Sequence, residues 1–320
     1  MKLASYYSQG LRIGAVVDSR IWDLRRVYEL YLLEEEGDPA AEEVARASVP
    51  SDMARFIQHH HGCLEGIQRA LAWATQGTED RARAEWFCAQ SLVSELSSVR
   101  LLAPILRPGK IVCTGNAYMD HIQESPTAEL PPEVKVSFLK ASSGVVGPGA
   151  TMHYPGDSTK WDFENELVIV IGRACRQVTE QEAYGYIFGY SIMNDGSNRE
   201  VPAVLGGLTS PKGKSGDSLA PLGPWIVTRE EIPDPQRLAL RTWVNGELRQ
   251  NASTAALLWS IPRIVHITST VLSLYPGDVI STGTPAGTGY GTGKYLKPGD
   301  VVRCEIEGIG VLENRVGSAR

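Results

Sequence analysis

No apolar run in the 320-residue sequence approaches the roughly 20 residues needed to cross a bilayer. The opening MKLASYYSQG lacks the basic-then-apolar form of a secretory leader. The expectation is a soluble, cytoplasmic protein with no membrane partner. Cysteine is sparse: Cys63, Cys88, Cys113, Cys175 and Cys304 lie far apart, are odd in number and include no C-x-x-C pair. That argues against a disulfide framework or a thiolate zinc site and for reduced, mostly buried thiols. Basic charge is in deficit, 31 Lys+Arg against 37 Asp+Glu for a net charge of −6, so the footprint of a nucleic-acid binder is missing. The 32 glycines and 19 prolines follow no G-x-y period, which excludes a collagen-like chain. What remains is a chain with 42% hydrophobic residues, long enough for about two domains with real cores.

The texture changes along the chain. From Met1 to Leu24 the alternation in LASYY, RIGAVV and RIWDL, broken at Gln9-Gly10 and Asp18-Ser19, predicts a small antiparallel meander. Helical patterns follow to about Ser97, one of them after the cap-like Ser51-Asp52. His59, His60 and His61 sit there, but successive helical residues point about 100° apart and three in a row cannot converge on one ion. From Leu102 onward β-branched residues and Gly/Pro turns dominate. Asn245-Gly246 signals a type I′ hairpin. Ser260 and Pro262 open the clearest helix, and two Leu-x-Pro-Gly-Asp-Val turns, at 274–279 and 296–301, each launch a strand. The division expected is an α+β N-terminal module, 1–105, and a mainly β catalytic domain, 106–320.

The segment WDFENELVIVIG, 161–172, reads as a buried strand, and a strand sends i and i+2 to one face. Glu164 and Glu166 then point together, with Val168 and Val170 on their face and Leu167, Ile169 and Ile171 on the other. Adjacent carboxylates repel unless one is protonated or a cation lies between them. A second strand, YIFGYSIMNDGSNRE, ends in the cluster Asp195, Ser197, Arg199, Glu200. If Asp195 meets the two glutamates, the oxygen ligands suit Mg²⁺, Mn²⁺ or Ca²⁺ and not zinc. By spacing alone E-x-E is a weak signal, since surface strands carry it often. In GNAYMDHIQES, 115–125, His121 and Glu124 are spaced i, i+3, the layout of a general base with an orienting acid; the alternative is an incidental pair on a surface turn. PKGKSGDS, 211–218, fails as a phosphate cradle because the required glycine is Leu208, which leaves Lys214 in a Gly-rich loop as a flexible cation for an anionic substrate. STGTPAGTGYGTG, 281–293, either binds a carboxylate or turns a barrel corner.

Taken in order, KIVCTGNAYMDHIQES, FLKASSGVVGPG, WDFENELVIVIGR, GYSIMNDGSNRE, KSGDSLAPLGPW, VNGELRQNASTAALLWSI, LYPGDVISTGTPAGTG and LKPGDVVRCEIEGIGVLENRV resemble the fumarylacetoacetate hydrolase family over residues 108–317. MKLASYY through IWDL resembles the module that often precedes this domain. The resemblance implies a distorted mixed β-barrel or β-roll and a homodimer. It implies Mg²⁺ or Mn²⁺ on Glu164, Glu166 and Asp195, and catalytic His121, Glu124 and Lys214. It further implies substrate contacts from Tyr118, Lys140, Arg199 and Thr284. The implied activity is metal-dependent hydrolysis of a C–C bond in an acylpyruvate or β-diketo acid. The alternatives are a decarboxylase, dehydratase or isomerase of a 2-oxo acid, or a catalytically silent member that binds a metal and a small acid. Two departures bear on the pocket: Ala117 stands where the family usually has Asn, and Pro202 where it usually has Gln.

Overall fold

The computed structural model describes residues 1–124, 129–154, 158–201 and 209–318, so Pro202 lies outside the described residues. The chain is mixed α+β and mainly β. The N-terminal meander forms as its sequence predicts, from Lys2–Tyr7, Leu11–Val17 and Arg20–Asp23. Gln9, Gly10 and Asp18 take the positive φ values of 53°, 134° and 53° at its turns. Helices Leu24–Glu34, Ala41–Ser48, Met53–His59, Leu64–Gln76 and Arg81–Ala89 follow. None of the described helices is long and apolar enough to cross a membrane.

The main path of a 12-stranded sheet starts at Val93–Glu95 and runs through the meander to Ala220–Thr228. It continues through Ile187–Asn194, Asn165–Ile171, Val279–Ser281 and Ile111–Gly115 to Lys135–Lys140. A five-stranded sheet orders Glu247–Ser253, Ala239–Val244, Val301–Ile306, Gly310–Val316 and Thr151–Met152. The expected barrel does not close among the described residues: the larger sheet ends on Val93–Glu95 and Lys135–Lys140, which do not pair with each other. The physical reason lies at Ala220–Thr228. Its free side takes up Lys2 and Leu3 from the meander and Val145–Val146 in parallel, so the sheet is extended there instead of curling onto itself.

The Asn165–Ile171 strand is buried along its whole length, which is why its sequence reads as a continuous apolar run. Its two faces serve two cores. Leu167, Ile169 and Ile171 pack with Leu240, Val302, Ile306 and Leu312 of the five-stranded sheet. Val168 and Val170 pack with Phe56, Ile57 and Phe188 toward the N-terminal helices. Each such side chain taken from water contributes about 1.5–3 kcal/mol. The strand that carries Glu166, and that Glu164 immediately precedes, is therefore clamped from both sides.

Candidate active site

The register of two antiparallel strands builds the carboxylate cluster. Asn165 pairs with Asn194, the Asp195 amide donates to the Glu164 carbonyl at 2.8 Å, and the Glu164 amide donates to Asn194 Oδ1 at 3.0 Å. Glu164, Glu166 and Asp195 consequently meet at one end of the sheet, each buried, with one oxygen apiece lying within 4.8 Å of the others. No other cluster of potential metal ligands occurs among the described residues, His59 and His61 included.

Buried cations surround these acids. Lys214 Nζ donates to Glu164 Oε2 at 2.5 Å and to Asp195 Oδ2 at 2.9 Å. Lys140 Nζ donates to Asp195 Oδ1 and, at 3.1 Å, to the Gly196 carbonyl. Arg199 donates through Nη2 to Glu164 Oε1 at 2.5 Å and through Nε to Asp162 Oδ2 at 2.8 Å. Lys214 is thus not the flexible loop cation its glycine-rich surroundings suggest. It ends the short Pro211–Lys214 helix and is drawn in by two carboxylates distant in sequence. Burial opposes the charge on Lys214, but Asp195 and Glu164 raise its pKa above the usual lysine value. Burial likewise opposes ionisation of Glu164, yet Lys214, Arg199 and His121 hold it below the usual carboxylate range.

Glu166 behaves differently. Burial first, then the charges of Asp195 and Glu164, push its carboxyl up to about 8. That rise persists although Ser281 Oγ and the Gly283 amide both donate to its Oε2. Four buried carboxyl groups, Asp162 among them, face three buried cations, so ionising Glu166 would leave one negative charge in excess. An all-oxygen cup whose last carboxyl needs a counter-charge before it ionises fits a hard divalent cation.

The second half of the site is the short helix Met119–Gln123. His121 Nδ1 lies 2.7 Å from Glu124 Oε2. A carboxylate only accepts, so Nδ1 carries the hydrogen and Nε2 is left as the basic nitrogen. Nε2 faces the cup, 4.0 Å from Glu164 Oε1. Glu124 is fixed in turn by the Gly287 amide, which donates to its Oε1 at 2.7 Å.

Tyr118 is fully buried, and its hydroxyl has no hydrogen-bond partner among the described residues. Burial, with Glu166 nearby, raises its pKa above the usual tyrosine value. Thr284 lies in the same end of the molecule, but its hydroxyl is committed: it donates to the Asn165 carbonyl at 3.0 Å and accepts from Gln250 Nε2 at 2.8 Å. Ala117 is buried under Gly283, where a Cβ on the glycine would stand 2.8 Å from the alanine methyl. Ser281, Gly283 and Asp162 are contacts that inspection of motifs overlooks. Asp162 alone left a readable sign, as the first acid of the D-x-E-x-E run 162–166.

A cup of convergent carboxylates beside an oriented histidine has the donors for a divalent cation next to a general base. The chain belongs to the fumarylacetoacetate hydrolase family: the family model for the fumarylacetoacetate hydrolase C-terminal domain matches residues 110–317. It is 34% identical to the mitochondrial oxaloacetate tautomerase FAHD2B of Bos taurus over 271 residues, 84% of this chain and 81% of the relative. The crystal structure of maleylpyruvate hydrolase from Sphingobium sp. SYK-6, in complex with manganese(II) and pyruvate, is 28% identical; the match covers 100% of both chains with a TM-score of 0.74. That of 2-hydroxyhepta-2,4-diene-1,7-dioate isomerase from Mycobacterium marinum is 40% identical, covers 71% of this chain and 81% of its own, and has a TM-score of 0.62.

Proposed function

We propose that the protein is a divalent-metal-dependent hydrolase that cleaves a C–C bond of an acylpyruvate or β-diketo acid. The observation that carries this reading is His121, fixed through Nδ1 on Glu124 and directed through Nε2 at the carboxylate cup. Glu164, Glu166 and Asp195 would hold Mg²⁺ or Mn²⁺, and Ca²⁺ also suits an all-oxygen set. When bound, the cation supplies Lewis acidity to a substrate carboxylate and its adjacent carbonyl. With Glu166 ionised, two added positive charges turn the buried excess from one negative to one positive, so the completed site would select an anionic substrate.

His121 takes a proton from water at Nε2, and the resulting hydroxide attacks the distal carbonyl carbon. The C–C bond breaks and its electron pair passes into an enolate, which a proton then quenches. Glu124 balances the imidazolium formed in the first step. Lys214 offers its ammonium to the enolate, and a well-aimed donor in a dry site contributes about 3–4 kcal/mol to such a step. Lys140 and Arg199 hold Asp195 and Glu164 in place and leave the site cationic enough for an acid.

The likeness to an oxaloacetate tautomerase across 84% of the chain favours a second reading, proton transfer on a 2-oxo acid without C–C cleavage. The same base and enolate-stabilising groups would serve it. A steady-state assay decides between them: with Mn²⁺ present, the purified protein should release pyruvate from an acylpyruvate. Interconversion of the keto and enol forms of oxaloacetate, with no pyruvate released from any acylpyruvate, would replace hydrolysis by tautomerisation.

A further inference from the structure

Asp162 has no part in the chemistry above, yet both of its carboxylate oxygens are fully engaged. Its side chain is fully buried. Oδ1 accepts from the Phe163 amide at 2.9 Å and the Gly289 amide at 2.5 Å. Oδ2 accepts from Arg199 Nε at 2.8 Å and the Tyr290 amide at 2.9 Å. All four donors are N–H groups, so only an ionised carboxylate, which accepts at every position, satisfies them together.

Two arms leave this residue. One is Arg199, whose other end grips Glu164 and whose guanidinium is covered by the Tyr290 ring, 5.3 Å from its centroid. The other is the backbone segment 287–291. Its 289 and 290 amides donate to Asp162, while its 287 amide donates to Glu124. The segment is therefore pinned between two carboxylates, and the glycines in it record how tightly. A Cβ at Gly289 would sit 2.7 Å from Asp162 Oδ1, and one at Gly291 would collide with the Glu124 carboxylate.

We infer that Asp162 is a positioning residue that ties the metal-binding half of the site to the His121–Glu124 half, through Arg199 on one side and the 287–291 segment on the other. Its side chain is sealed from solvent, and both of its oxygens are taken by protein N–H groups. Its effect on turnover runs through the placement of Glu164 and of Glu124, and a small misplacement of catalytic groups is costly.

The test uses D162N, in which the amide nitrogen confronts donors whichever way it is turned. Also needed is G289A, which pushes the segment off Asp162 while leaving the charge in place. G289A keeps the inference testable should D162N fail to fold. In the metal-free protein, amide hydrogen exchange across 287–291 should accelerate about 10-fold or more in both variants. With Mn²⁺ and the substrate identified by the assay above, kcat should fall about 10–100-fold with KM within about threefold. The double variant D162N/E124Q should be little worse than E124Q alone, because both changes break one coupled unit. Unchanged exchange at 287–291, or losses that simply multiply in the double variant, would overturn the inference. The kinetic arm rests on the proposed function and the exchange arm does not. A wild-type protein that turns over none of the acids refutes the former and leaves the exchange result to decide the role of Asp162.

Discussion

Among the described residues up to 105, the buried polar or charged side chains are Ser5 and Asp23, whereas beyond 105 the buried set includes Lys140, Asp162, Glu164, Glu166, Asp195, Lys214 and Asp278. The two early ones have visible local uses. Ser5 donates to the Pro104 carbonyl, and Asp23 caps the Leu24–Glu34 helix and pairs with Arg12 at 2.7 Å. In the later region six of the seven converge on one spot. Ionised groups are expensive to bury and endure only where partners are in place. Convergence of this kind is poor economy for folding and useful for binding a cation and an acid, so on the proposed function the difference separates a region that supports from one that reacts.

Three substitutions bear on that contrast. The largest effect belongs to the reacting region: His121→Ala should lower kcat about 10²–10⁴-fold, with thermal stability little changed because the imidazole is part-exposed. Assay of turnover beside calorimetric melting checks both halves of the statement. Next, Phe56→Ala in the supporting region should cost about 3–5 kcal/mol of stability, since Phe56 is fully buried and edge-on to Phe188 at 6.4 Å. Denaturant titration measures the loss, and the folded variant should still bind Mn²⁺. A lost Mn²⁺ site in Phe56→Ala would break the separation of roles. The smallest effect is at the periphery of the reacting region, where Asn245→Ala should cost about 1–2 kcal/mol because Asn245 holds φ at 52° in its hairpin. Turnover should not respond.

Local chemistry was legible in the sequence wherever one residue dictates its own surroundings. Asn245-Gly246 makes the turn its type demands, Ser260 caps the Ile261–Val271 helix through the Arg263 amide, and both Pro-Gly-Asp turns place glycines at φ 85° and 94° before a strand. The alternation of 167–171 sorts its side chains between two cores as the two-residue period requires. E-x-E and H-x-x-E were readable because strand and helix periods bring those pairs together. Partners far apart in sequence were not. Lys214 looks like a mobile loop lysine until Glu164, 50 residues away, takes its ammonium. Asp162 escaped notice because two of its partners are backbone amides 127 and 128 residues distant, and a backbone N–H leaves no mark on residue type. The open sheet escaped for a related reason, since pairing of the meander with Ala220–Thr228 is set by register and not by either sequence alone.

The proposed chemistry stands on Glu164, Glu166 and Asp195 as a site for one divalent cation. Calorimetric titration of the chelator-treated protein with Mn²⁺ tests it most directly, with E166Q as the comparison because that change keeps the shape of the side chain and removes its charge. The account predicts one Mn²⁺ per chain in the wild type and an affinity lower by about 100-fold or more in E166Q. Equal affinity in the two proteins would contradict it.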